Sequence, residues 1–207
     1  MRMRFPMLLL GLAVAAAAAG CTTPSPGDPS PTSSRTSAPT SSSEDDLPSN
    51  GAPAVEDPLD VTKFIENPCK VLTPQQLQDF ELPAGAASEG DFGPKCDWRQ
   101  PQAAGGALNF TILTKDEDGL SSLYKDHENG YIKYFEELSP IEGYPAVLWD
   151  TAEENRPIGT CAISVGVSNK LSFTAIVNLS AASMGQKDPC ETATAVATMA
   201  TKNMKGD

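Results

Sequence analysis

CAISVGVSNKLSFTAIVNL, residues Cys161 to Leu179, decides the fold. β-Branched and aromatic residues fill Cys161–Val167 and again Leu171–Leu179, the composition of strands. Ser168-Asn169-Lys170 separates the two runs, so they read as an antiparallel hairpin with a three-residue loop. Downstream, Asp188-Pro189-Cys190-Glu191 opens the run TATAVATMATKNM. Asp188 is a helix N-cap, Pro189 suits the first helical position, and Glu191 favours the positive helix end.

Upstream, Leu72-Thr73-Pro74-Gln75-Gln76-Leu77 places Thr at the N-cap and Gln three residues later, a capping box. Leu120–Glu128 reads as a further helix, and Leu108–Leu113 as a strand. Lys95–Arg99, Tyr131–Glu137 and Ala146–Trp149 are weaker strand candidates, with Gly143-Tyr144-Pro145 breaking the chain before the last of them. The order is helix, two strands, helix, two strands, hairpin, helix. The expected fold is α+β, an antiparallel sheet with about three helices packed mainly on one face.

Charge and composition narrow the function classes. The 207 residues carry 27 Asp+Glu against 15 Lys+Arg, a formal net charge of −12. Nucleic acid is excluded as a partner, because phosphate neutralisation needs clustered Lys and Arg. One histidine excludes a multi-histidine metal centre.

The N-terminus reads as an export signal. Arg2 and Arg4 precede the apolar run MLLLGLAVAAAAA, Met7–Ala19, whose 13 residues are too few to span a bilayer. Ala18-Ala19-Gly20-Cys21 resembles the bacterial lipobox, with Ala18 in place of the more usual leucine. That resemblance implies a diacylglycerol on the Cys21 thiol and cleavage just before it. Residues 1–20 are then the signal peptide, and losing two arginines takes the charge from −12 to −14. The membrane becomes a partner through the lipid alone.

Of residues 22–57, 21 of 36 are Ser, Thr or Pro. So little apolar surface cannot offset the entropy of ordering, so residues 21–57 read as the lipidated cysteine and a disordered tether. Its root-mean-square span is about 30–36 Å. Residues 58–207 remain as one globular domain of 150 residues, large enough to bury a core.

Setting Cys21 aside leaves Cys69, Cys96, Cys161 and Cys190. In an exported domain an even count implies two disulfides. Cys69 and Cys190 both follow a proline near a helix start, and Cys96 and Cys161 both open a strand. Pairing like with like gives Cys69–Cys190 with Cys96–Cys161. The alternative is sequential, Cys69–Cys96 with Cys161–Cys190, which the hairpin supports by returning the chain towards Cys161 before Cys190. No two cysteines lie within four residues of each other, so a zinc knuckle is not read here.

Asn67-Pro68-Cys69-Lys70-Val71-Leu72-Thr73, Cys96-Asp97-Trp98, Gly143-Tyr144-Pro145-Ala146-Val147, Cys161 with Ser164–Val167, and Asp188-Pro189-Cys190 occur in this order. The set resembles the actinobacterial exported lipoproteins classed as "domain of unknown function 3558", over about Asp57 to Lys202. The resemblance implies an actinobacterial source and a cell-envelope location. It implies no activity, no catalytic residue and no cofactor.

The remaining chemistry-bearing residues have plain structural readings. His127 has no Gly-x-Ser-x-Gly elbow to serve. Asp116-Glu117-Asp118-Gly119 lacks the spacing of a calcium loop and reads as a turn into the helix beyond. Asp150, Glu153 and Glu154 read as a solvated loop. Trp98, Trp149, Tyr131, Tyr134, Phe110 and Phe173 are core or inter-layer candidates. With no catalytic set and no metal set legible, the expectation is a lipid-anchored, extracytoplasmic binding module for a protein partner or an apolar envelope ligand. The alternative is an enzyme that acts on cell-wall polymer through paired carboxylates.

Overall fold

A computed structural model describes residues 47–101 and 105–206. Cys21, the export signal and most of the tether lie outside the described residues. Seven strands form one antiparallel sheet: β1 (Ala86–Glu89), β2 (Pro94–Arg99), β3 (Ala107–Ile112), β4 (Tyr134–Ile141), β5 (Tyr144–Asp150), β6 (Thr160–Ser168) and β7 (Leu171–Asn178). Their spatial order is β1-β2-β3-β7-β6-β5-β4, with every neighbouring pair antiparallel. Four helices accompany them: α1 (Thr62–Glu66), α2 (Pro74–Asp79), α3 (Ser121–Glu128) and α4 (Pro189–Lys205). The fold is α+β, as the sequence implies.

The β6–β7 hairpin occupies the middle of the sheet, and its sequence shows why. On β6, Cys161, Ile163, Val165 and Val167 join the main core, together with Phe173, Ala175 and Val177 of β7. On the opposite face of β6 stand the small residues Ala162, Ser164 and Gly166. Alternation here is large against small, not apolar against polar, because the strand is covered on both faces. The hairpin turn is two residues, Asn169-Lys170, shorter than expected. Ser168 pairs with Leu171 after a register shift that follows Gly166, so the serine assigned to the loop belongs to the strand.

Helix α4 lies on the large-residue face with its Ala193, Val196, Ala197, Ala200 and Met204 buried there. The Asp188 carboxylate accepts from the Cys190 N–H at 2.8 Å, capping the helix as the sequence predicts. Helix α2 has its full capping box, Thr73 with Gln76. Phe64 of α1 and the flanks of α2 join the same core. Helix α3 does not. Its Leu120, Leu123 and Tyr124 pack with Val147, Phe135 and Trp149 in a second cluster on the opposite face. Three helices share one face and the fourth takes the other, which refines the one-face expectation. Gly166 makes room for α3: a Cβ there would stand 3.1 Å from the Leu120 side chain.

Further boundaries differ from expectation. Strand β4 begins at Tyr134 rather than Tyr131, and Tyr131 is 71% exposed, outside any core. Strand β1 reads AASE with every residue exposed, so it carries no strand pattern of its own and forms by pairing with β2. Residues 47–57, assigned to the tether by composition, pack on the domain instead. The Ser49 N–H donates to Ser121 Oγ at 2.9 Å, the Val55 N–H donates to Asn169 Oδ1 at 2.8 Å, and Ala52 and Val55 are buried. Backbone hydrogen bonds to side chains of α3 and the β6–β7 turn offset the ordering entropy that composition alone leaves uncovered.

The cysteines pair sequentially, Cys69–Cys96 and Cys161–Cys190, with Cα–Cα distances of 5.0 and 5.1 Å. The like-with-like pairing is overturned by sheet order. Between β2 and β6 lie β3 and β7, so Cys96 and Cys161 are three strand spacings apart, roughly 14 Å. A disulfide closes only about 4.4–6.8 Å between Cα atoms. Each bridge instead ties a helical start to a strand: Cys69, in the 3-10 turn Pro68–Val71, to β2, and Cys190, in the first turn of α4, to β6.

Peptide mapping without reduction returns these two pairs. Replacing Cys161 and Cys190 together by alanine lowers unfolding stability by about 3–4 kcal/mol, seen as a lower denaturant midpoint. Gly85 lies against Trp98 and Cys96; a Cβ there would meet Cys96 Sγ and stand 2.6 Å from Trp98 Nε1. Because both are fully buried, Gly85→Ala costs about 1–3 kcal/mol in a thermal melt.

Candidate binding surfaces

Two recesses of opposite character flank α4. The first, about 620 Å³, lies between α4 and the β4–β5 end of the sheet. Leu138 and Leu148 form its floor, and Ala195 and Met199 of α4 line it. Glu136, Arg156 and Lys202 stand among its lining residues. It runs beside β4, which has β5 on one side and, among the described residues, no strand on the other. The second, about 670 Å³, opens where β2 and β7 end and β3 and α4 begin. Its lining includes Gln78, Glu81, Gln100, Asn178, Ser180 and Lys187.

The two poles of the sheet are distinct. The Val55–Asn169 contact and the α3 N-terminus lie at the β6–β7 turn. The second recess lies at the other end of β7, beyond Asn178. The eight residues of β7 span roughly 24 Å between them.

The residues singled out by sequence take structural places. Cys69, Cys96, Cys161 and Cys190 are disulfide-bonded. The His127 ring stacks on Phe135, with centroids 4.7 Å apart and planes 11° from parallel, and its Nδ1 lies 3.3 Å from the Ile132 carbonyl. It is a packing residue of the α3 layer. Asp116 Oδ1 accepts from the Asp118 N–H, holding the turn before α3. Asp150 Oδ1 accepts from the Ala152 N–H and from Asn155 Nδ2, and Glu154 pairs with Arg156 at 3.3 Å. Trp98, Phe110 and Phe173 are fully buried, with the two phenylalanine rings 4.9 Å apart. Trp149 is half-buried and donates from Nε1 to Ser164 Oγ at 2.8 Å; that hydroxyl also meets Thr174 Oγ1 at 2.8 Å. Among the described residues no cluster of three His, Cys, Asp or Glu side chains is placed to hold a metal ion. None of their helices is long and apolar enough to cross a membrane.

Sequence reading missed both recesses. The polar one is assembled from short runs far apart in sequence, 78–82, 106–108 and 177–183, together with Gln100 and Lys187, and no motif marks them as a site. The apolar one has one partial signal, the pairing of Leu138 and Leu148 with the outward positions of a helix that is itself largely buried.

On the α3 face, beyond the reach of α3, the sheet turns polar. Asn109 Nδ2 donates to Asp97, and Lys95 Nζ stands 3.0 Å from the same carboxylate. Partial burial pushes the Asp97 carboxyl up, but the hydrogen bonds from Asn109 and Lys95 outweigh it and hold the group below the usual carboxylate range. Near α3, burial and then the Glu137 carboxylate hold the Tyr124 phenol well above its ordinary value.

A seven-stranded antiparallel sheet stapled by two disulfides and carrying two open recesses defines a disulfide-stabilised α+β domain. The chain belongs to the family described as "Protein of unknown function (DUF3558)", whose pattern matches residues 16–203. No curated protein and no solved structure matches the chain.

The depressed Asp97 pKa fixes a sign. The folded value lies below the unfolded one of about 3.9, so the ionised group stabilises the fold above that pH, and the contribution is lost as pH falls through the folded value. Asp97→Asn therefore lowers the melting temperature at neutral pH, and its gap from the parent protein narrows on acidification below about pH 4.

Proposed function

We propose that this protein is a lipid-anchored component of the extracytoplasmic envelope that serves as a non-catalytic binding module for a protein partner or an apolar envelope ligand. The observation that carries the binding role is the apolar recess between α4 and the β4 edge. Leu138, Leu148, Ala195 and Met199 offer contact area there, and the unpaired side of β4 offers backbone donors and acceptors to an added strand. Anchoring rests on Cys21 and the apolar Met7–Ala19 run before it. Two or more acyl chains suffice for stable attachment without a membrane-spanning helix.

The alternative, a carboxylate-dependent enzyme acting on cell-wall polymer, draws on the same recess. Glu136 reaches it from β4 and Glu191 from α4, so acids stand on both walls. Glu136 is engaged by the Tyr134 hydroxyl at 2.9 Å.

Native mass spectrometry of protein purified from its own envelope, before and after organic extraction, separates these readings. A bound species removed by the solvent supports the apolar-ligand role, and Met199→Glu abolishes it. A bare mass, together with no cross-linked partner at the β4 edge, overturns the binding reading. Polymer cleavage lost in Glu136→Gln establishes the enzyme. In the same preparation Cys21→Ser moves the protein from the membrane fraction to the soluble one.

A further inference from the structure

The polar recess at the far pole has a chemistry that neither reading above uses. One of its amides is fixed. The Gly106 N–H donates to Gln100 Oε1 at 2.8 Å. With that oxygen engaged within the protein, the Gln100 NH₂ group is left to donate into the recess that the residue lines. The Asn178 side chain belongs to the opposite face of the sheet, where it accepts from the Thr160 hydroxyl at 3.0 Å. Gln78, Asp79, Glu81 and Lys187 line it too, and none of these side chains makes a hydrogen bond or ion pair with a described residue. Leu82, Leu108 and Val177 supply an apolar strip in the same wall. A second lobe of about 760 Å³ shares Glu81, Leu82, Gln100, Ser180 and Ala182 and lengthens the recess into a cleft.

Glu81 is held there against local preference. It follows α2 in a left-handed conformation, φ 55°, where glycine is the usual residue. The Glu81 N–H donates to the Gln78 carbonyl at 3.0 Å and the Leu82 N–H to the Leu77 carbonyl at 2.9 Å, the paired bonds of a Schellman cap. The cap needs the conformation but not the carboxylate.

The set of groups selects a ligand class. A preoriented NH₂ donor beside free carboxylates and a second amide matches a molecule whose groups donate and accept together, which hydroxyls do and carbonyls or phosphates do not. The apolar strip suits the C–H face of a ring. Two carboxylates against one ammonium, in a chain of 27 acids and 15 bases, oppose an anionic ligand. The volume lies within the roughly 300–1,000 Å³ of small-ligand sites, and a cleft with an open run admits a chain as well as a single unit.

We infer that this cleft is a saccharide site, binding a short stretch of neutral oligosaccharide through the Gln100 amide and the Gln78, Asp79 and Glu81 side chains. It is separate from the apolar recess, with which it shares no lining residue.

The test uses the mature full chain, isotopically labelled, titrated with neutral glucose, mannose, galactose and N-acetylglucosamine oligomers and followed by amide NMR. The expected result is saturable shifts at Gln78, Gln100, Gly106 and Asn178 with at least one series. Gln78→Ala and Glu81→Gly each weaken that binding by about tenfold. Glu81→Gly does so with an unchanged or raised melting temperature, because glycine fits the cap, which separates lost recognition from lost folding. The proposal is overturned if no neutral series moves these amides. It is overturned equally if acidic oligosaccharides bind there in preference, or if shifts gather at Leu138 and Met199, the last of which leaves the apolar binding role intact.

Discussion

Strand β6 is covered on both faces, and the arrangement of the molecule follows from that constraint. Interiors are close-packed, so each face of such a strand must carry the side-chain volume that its own layer leaves room for. The sequence resolves it by size. Ile163, Val165 and Val167 fill the α4 layer, while Ala162, Ser164 and Gly166 admit the α3 layer. Gly166 is the tightest point, with Leu120 against the place a Cβ would occupy. The hydroxyl of Ser164 is small enough for that face and polar enough to satisfy the Trp149 indole and meet Thr174. A larger residue at either position would lift α3, and with it the packed segment 47–57 that hydrogen-bonds to Ser121.

The disulfides act on the same layer structure. Both lie on the α4 side, and both join a helical turn to a strand close in sequence, with separations of 27 and 29 residues. They fix where the helical layer meets the sheet rather than linking distant strands. The Cys69–Cys96 bridge adjoins Trp98, whose indole N–H is buried with no acceptor among the described residues. Such a group costs about 1–3 kcal/mol. Burying so large a ring against Gly85 and the bridge recovers apolar area that offsets part of that cost.

Local chemistry was legible and long-range placement was not. The capping box at Thr73, the N-cap at Asp188, the hairpin and the strand at Leu108 are written in adjacent residues, and each stands within a residue of where the sequence puts it. The disulfide pairing depended on strand order, which no local pattern carries: β7 inserts between β3 and β6 only because the chain crosses from β3 to the far edge at β4 and returns. Segment 47–57 has a tether's composition, and its order comes from partners more than 70 and 110 residues away, Ser121 and Asn169. Strand β1 is made by its neighbour. The recess residues were invisible for the same reason, since Gln100, Asn178 and Lys187 acquire meaning only where three strand ends and a helix start converge.

That convergence explains why the recesses lie where they do. Seven strands make a sheet roughly 29 Å across, and a helix with its side chains covers about 10–12 Å of it. On the main face, α4 lies over β6 and β7, and the 3-10 turn with α1 and α2 extends the cover towards β2 and β3. Among the described residues no further helix extends it towards β4, so the floor at Leu138 and Leu148 is open and apolar. At the pole, the strands end but α4 does not begin until Pro189, after a polar loop of Ser180, Ser183 and Lys187. The gap between strand ends and helix start is therefore lined by polar residues such as Gln100, Ser180 and Lys187 beside the ends of the core at Leu108 and Val177. One shortage of helical cover yields an apolar groove beside an open strand edge, and the other yields a polar cleft, so the two surfaces differ in chemistry because they are bounded by different parts of the same layers.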